Sequence, residues 1–204
     1  MRNVACYIDG FNLYHSIDDL RKPYLKWVNL WALAESFVRP GENLVKVAYF
    51  SAYATWLPAQ YARHRTYVNE LKGVGVECHM ARFNERTMRC RGCKAEWISR
   101  EEKETDVHFA LTFLEDAIDD VFHRAIVISA DSDYVPAVRK IRGRYPAKEI
   151  FLATPPERHA KARELIRACN SASPVTPGRL AKHLFGPERR PINYDPPRGW
   201  TPPD

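Results

Sequence analysis

Short apolar runs alternate with stretches of helical spacing along this chain, and that alternation limits its fold more than any other feature. VACYI (4–8), VKVAYFSA (45–52), AIVIS (125–129) and EIFLAT (149–154) read as strands, and VECHMARF (76–83) as another. A strand with one wet face alternates apolar and polar residues. AIVIS does not, which is the pattern of a strand buried on both faces. Helical stretches are expected from Asn12 to Asp19, at 29–38 with Asn29 as cap, at 57–73 opening on Pro58, and over 105–122. Others follow at 134–143, 157–169 and 177–184. Strand–helix alternation of this kind implies an α/β domain with a mainly parallel sheet covered on both faces.

In the helix at 105–122, Val107, Ala110, Leu111, Leu114, Ile118 and Val121 follow three- and four-residue spacing and are expected to form its buried stripe. Glu115, Asp116, Asp119 and Asp120 are expected on its solvent face. Residues 84–104 break the pattern with polar, basic sequence around Cys90 and Cys93, and an extended hairpin insertion is expected there. The domain is expected over residues 1–185, and 186–204, rich in proline, as an extended tail.

A length of 204 residues and 45% hydrophobic residues suit one domain with a real core. No run approaches the roughly 20 apolar residues of a membrane span. An acid at the ninth residue argues against a secretory leader. Five cysteines, an odd number, fit a reducing, cytoplasmic setting better than a disulfide framework. The charge of +6, from 31 Lys and Arg against 25 Asp and Glu, suits an anionic partner and equally suits simple solubility. Oligomeric state is open, with a homo-oligomer among the possibilities.

Four aspartates fall where strand passes to turn or helix: Asp9, Asp106, Asp131 and Asp133. Parallel sheets gather their strand ends on one edge, where ligand sites form. Acids collected there repel one another unless a cation neutralises them, and hard oxygen ligands suit Mg²⁺ or Mn²⁺. Each acid also has a local reading: Asp9 in a DG turn, Asp106 in the first turn of a helix, Asp131 and Asp133 capping the next helix. That all four lie at the ends of successive elements favours a shared site. Ser129 reads as a small strand-end residue.

YIDGFNLYHSI, EEKETDVHFALTFLEDA and AIVISADSDYVPAVRKI, in that order, resemble the NYN domain, in the LabA-like group of the PIN-like nucleases. The resemblance spans roughly residues 3–170. It implies a Rossmann-like three-layer α/β/α sandwich that binds RNA and cuts it with Mg²⁺ or Mn²⁺. It also implies that Asp9, Asp106, Asp131 and Asp133 are catalytic metal-holding acids and that Asn12 is the asparagine of the first motif. Products with a 5′-phosphate and a 3′-hydroxyl are implied as well. A catalytically weak RNA-binding or scaffold module on the same fold is the alternative. A phosphohydrolase is disfavoured, because GFN rather than a second acid follows Asp9.

Cys90 and Cys93 have the spacing of half a structural zinc site, which needs four N or S ligands. Cys78, His79 and His108 are the nearest completing residues, or a second chain donates its own pair. Free thiols and a redox pair remain open. Arg82, Arg86, Arg89, Arg91 and Lys94 make this hairpin either a grip on RNA phosphates or a solvated basic loop. Trp97, beside Ile98, is expected to pack in a small core. Arg139, Lys140, Arg142 and Arg144 form a second basic group.

Overall fold

The computed structural model describes residues 1–186 and 195–201. Seven strands build one sheet: β1 (Arg2–Asp9), β2 (Glu42–Ala52), β3 (Glu77–Arg89), β4 (Glu96–Lys103), β5 (Arg124–Ile128), β6 (Glu149–Thr154) and β7 (Ser171–Pro174). Their order is β4-β3-β2-β1-β5-β6-β7, parallel throughout except for antiparallel β4. From β1 the chain adds strands on one side, then crosses over and adds β5, β6 and β7 on the other. The order therefore reverses between β1 and β5, where an open parallel sheet leaves a crevice outside its strand ends. Ile8 is in register with Ile128, so Asp9 and Ser129 leave the sheet side by side.

Alternate residues serve opposite faces. Val4, Cys6 and Ile8 join Ile126 and Ile128 in a core closed by α1 (Gly10–Asp19), α2 (Leu30–Glu35), α3 (Pro58–Gly73) and α7 (Pro177–Lys182). Ala5, Tyr7, Ala125 and Val127 face the other core, beneath α4 (Thr105–Ile118), α5 (Val135–Arg144) and α6 (Arg163–Ala168). The three-layer sandwich follows from strands that are apolar on both sides. Asn29 caps α2 as expected, with Ala32 N donating to its Oδ1 at 3.0 Å. Among the described residues no helix is long and apolar enough to cross a membrane.

α4 is turned away from its expected orientation. Phe109, Phe113 and Ala117 are buried, while Val107, Leu111 and Ile118 are 57%, 58% and 55% exposed. The helix is apolar on more than one face, and the face with two phenylalanines buries the greater area. Those rings pack on Tyr7 (4.7 Å from Phe113) and Phe50 (4.9 Å from Phe109). The same rotation carries Asp116 inside, against expectation. Tyr7 Oη donates to its Oδ2 at 2.7 Å, and Lys46 Nζ lies 2.9 Å from the same oxygen.

Other limits also shift. The stretch expected to be helical at 157–169 is helical only over Arg163–Ala168, and the edge strand β7 follows it, unannounced by the short polar sequence SASP. β3 continues past residue 83 to Arg89, because β4 pairs with it from Arg82 to Arg89. Beyond Ala81 it has lost β2 as a neighbour. The hairpin thus projects from the edge that bears the strand ends, by about 25 Å for eight residues. Trp97 and Ile98 are 50% and 52% exposed on this arm and not in a small core. Of the expected tail, 187–194 and 202–204 lie outside the described residues. Trp200 is buried, its ring 6.3 Å from Trp27 and 5.8 Å from Tyr67.

Candidate active site

Asp9 ends β1 and caps α1. Asn12 N donates to its Oδ1 at 2.9 Å, satisfying one of the amides a helix start leaves open. Gly10, next in line, is required by packing: a Cβ there would lie 2.6 Å from the Tyr49 ring and 2.7 Å from the Phe50 carbonyl oxygen. Asp9 Oδ2 accepts from Ser129 Oγ at 3.0 Å and faces Tyr134 Oη at 3.3 Å. Only 5% of Asp9 is exposed. Burial pushes its carboxyl up to about 6, against the pull of the Asn12 and Ser129 hydrogen bonds, and the charges of Asp106 and Asp131 push the same way.

Asp106 arrives from the opposite layer, in the first turn of α4. Tyr134 Oη donates to its Oδ1 at 2.6 Å. The single phenolic proton serves this shorter contact, so the hydroxyl stands between two carboxylates and keeps them apart. The Tyr134 ring is buried and stacked on Phe109 at 4.1 Å. Burial and the two acids hold its hydroxyl protonated, far above the ordinary tyrosine range. The Asp106 carboxyl is raised by burial and by the charges of Asp131, Glu102 and Asp133, while Tyr134 opposes the shift. Glu102 Oε1 in turn caps α4, accepting from Thr105 N at 2.9 Å and from the Thr105 hydroxyl.

Asp131 and Asp133 flank the entrance. Asp131 spends one oxygen on the turn that leads into α5, accepting from Asp133 N at 3.0 Å, as its local reading predicts. Its own amide donates to Ser129 Oγ at 3.1 Å, so one buried hydroxyl ties Asp9 to the Asp131 backbone. Asn12 Oδ1 accepts from Ala130 N at 3.1 Å, which leaves the Asn12 side-chain amide free to donate. Asp133 is exposed. Asp9, Asp106, Asp131, Asp133 and Asn12 therefore share one crevice at the switch point, graded from buried to open. Among the described residues, however, no group of three or more His, Cys, Asp or Glu side chains is close enough to hold a metal ion as it stands.

Sequence reasoning missed Tyr134 and Glu102 and undervalued Ser129. Tyr134 follows SADSD directly, and a large aromatic at the start of an amphipathic helix is the signal that pointed to it.

Cys90 and Cys93 lie in the connection between β3 and β4, closed by Cys90 N donating to Ala95 O at 2.8 Å. Neighbouring amides, that of Cys93 first, hold the Cys90 thiol below its ordinary value. Cys78 and His79 do not complete a zinc site with them. Those two sit in the sheet, in register with Tyr49 and Phe50, some ten strand residues and about 30 Å away. His79 stacks on Phe50 at 4.7 Å, and His108 is in α4. All five cysteines are free. Much of the arm's basic charge is matched, by Arg82–Glu104 (2.9 Å), Arg100–Glu85 (2.8 Å) and Lys103–Glu101 (2.8 Å).

A search among curated proteins finds no match. Among solved structures, a Vibrio parahaemolyticus protein of unknown function is similar at a TM-score of 0.56 and 21% identity, over 90% of this chain and 96% of that one. That likeness speaks for the fold alone. The NYN domain model matches residues 3–176, a span that holds all four acids, Asn12, Ser129 and Tyr134. The chain is a member of the NYN domain family.

Proposed function

We propose that the protein is a metal-dependent endoribonuclease that hydrolyses RNA phosphodiester bonds at the Asp9 crevice. The observation that carries this reading is the electrostatic loading of Asp9. A carboxylate at the switch point that burial raises to about 6, with the charges of Asp106 and Asp131 adding to the rise, is costly to keep ionised unless a cation or proton shares the site. The donor set is all oxygen, which suits a hard divalent ion. Mg²⁺ keeps several of its waters and takes one or two carboxylates, and this fits acids grouped in a crevice without a closed side-chain cage.

Asp9, Asp131 and Asp133 are the residues that would hold the ion, directly or through its waters. When bound, it supplies a more acidic water and counter-charge for the phosphoryl oxygens. Asp106, fixed by Tyr134 through one oxygen, keeps the other to take a proton from the attacking water. The Asn12 amide donates to a phosphate oxygen without adding negative charge. Tyr134, protonated throughout, is a positioning residue for both buried acids. Cleavage by this route leaves a 5′-phosphate and a 3′-hydroxyl.

The test is cleavage of an end-labelled single-stranded RNA with Mg²⁺, Mn²⁺ or EDTA, with product ends mapped, beside Asp106→Asn and Asp131→Asn. Cleavage that needs the metal and drops at least a hundredfold in both variants is expected. Cleavage that persists in EDTA or in the variants refutes the assignment. RNA that binds but is never cut would make the protein a binding module.

A further inference from the structure

A cavity opens at Gly10, the residue after Asp9. It measures about 290 Å³, at the small end of the range for ligand pockets, and is lined by Phe11, Tyr14, Tyr49, His64, Tyr67 and Trp200 among others. Gly10 and Phe11 belong to its wall, so it begins one residue beyond Asp9. We propose that this cavity receives one unpaired nucleobase of the RNA, next to the phosphate that is cut. The proposal rests on the ribonuclease reading and names its substrate subsite.

Three features select a base over other small occupants. The walls are flat aromatic side chains, which stack on any base because every base has a π-face. The wall carries a polar edge: Tyr49 Oη and His64 Nε2 are hydrogen-bonded to each other at 3.1 Å, and the exposed Gln60 and half-buried Arg63 add an amide and a guanidinium. His64 is held uncharged at neutral pH by burial, so it adds a neutral group to that edge beside the Arg63 guanidinium. Lys26, also in the wall, has its charge committed to Asp18, with its Nζ 4.0 Å over the Tyr14 ring.

The third feature is a continuous aromatic path to the mouth. Arg100 on β4 lies 4.8 Å over Trp56, Trp56 meets Phe83 at 4.7 Å, and Phe83 meets Phe11 at 5.7 Å. Phe11 is parallel to His15 at 6.4 Å. The line runs from the stem of the arm to the cavity beside Asp9. A single strand laid on it keeps one base in the cavity and its neighbours along the ledge, and the backbone between them passes the acids. A duplex has no free base to insert, so single-stranded RNA is the substrate class.

The experiment measures binding of the full-length protein, in EDTA so that no cutting occurs, to a short fluorescent single-stranded RNA. One nucleotide at a time is replaced by an abasic one. Two pocket variants accompany it: Ala54→Trp, which fills the cavity, and Tyr14→Ala at an exposed wall, each checked for folding by circular dichroism. Wild type is expected to lose about tenfold in affinity when one particular position lacks its base. Either folded variant should lose about as much on intact RNA and show no further loss with the abasic one. Equal losses at every position, no loss at any, or variants that bind like wild type overturn the proposal. Cleavage is scored separately: a cut RNA without a positional effect removes the base site alone, and a positional effect without cleavage removes the nuclease reading alone.

Discussion

Asp9→Asn should make the protein more stable at neutral pH while it destroys the site. The Asp9 carboxyl stands at about 6 in the folded chain against an ordinary 3.8. Between those values the folded state binds a proton that the unfolded state has released, so stability falls as pH rises through about 6. Above pH 7 the whole gap of about two pH units is felt, roughly 3 kcal/mol at 1.36 kcal/mol per unit. Asparagine removes the charge and keeps the Oδ1 that Asn12 N needs. Its amide faces the Ser129 and Tyr134 oxygens, which accept at some cost in geometry, so a net gain of about 2 kcal/mol remains. For a chain of this size that raises Tm by roughly 4–8 °C. Thermal unfolding by circular dichroism in EDTA at pH 7.5 and pH 5 measures it. The variant should gain at pH 7.5 and far less at pH 5, where wild-type Asp9 carries its proton. An Asp9→Asn protein that melts lower at pH 7.5, or shifts equally at both pH values, would refute the electrostatic account of the crevice.

Three further outcomes follow from the same geometry. Tyr134→Phe removes the hydroxyl between Asp9 and Asp106, and the acid limb of the cleavage–pH profile should move upward because Asp106 loses the bond that lowers its pKa; RNA affinity should not change. Gly10→Ala forces a Cβ to 2.6 Å from the Tyr49 ring and 2.7 Å from a backbone oxygen, and urea unfolding should show a loss of about 2 kcal/mol. Asp116→Ala leaves the buried Tyr7 hydroxyl without its acceptor and Lys46 with Glu77 as its remaining acid, at a cost of about 2 kcal/mol by the same assay, whereas Asp119→Ala on the exposed side should be near neutral.

The sheet was legible because β1, β5 and β6 are apolar on both sides, which leaves a parallel, covered strand as the natural reading. Asp9 and Asp131 were legible as candidates for a different reason, since they sit where those strands must end, whereas Asn12 was named through the family resemblance. β7 was not, since a four-residue edge strand of Ser, Ala, Ser and Pro owes its place to the neighbour β6 and not to its own pattern. The face of α4 was misread because periodicity finds a stripe without weighing it, and the bulk of Phe109 and Phe113 outweighs Val107, Leu111 and Ile118. Tyr134 was hidden because its role depends on a contact 125 residues away, between its hydroxyl and Asp9. Ser129 was undervalued for a similar reason: register alone brings it beside Asp9.

β4 ends at Lys103 and α4 begins at Thr105, with Glu104 between them in a left-handed conformation, φ 79°. A non-glycine residue there leaves little slack in the chain. Asp106 is thus anchored to a lever, while Asp9 and Asp131 belong to the sheet itself. Residues at the far end of that lever can be exchanged freely, because they bear no load. The pivot has no such freedom: a residue inserted or deleted between Lys103 and Asp106 would turn the carboxylate about the helix axis, away from Tyr134.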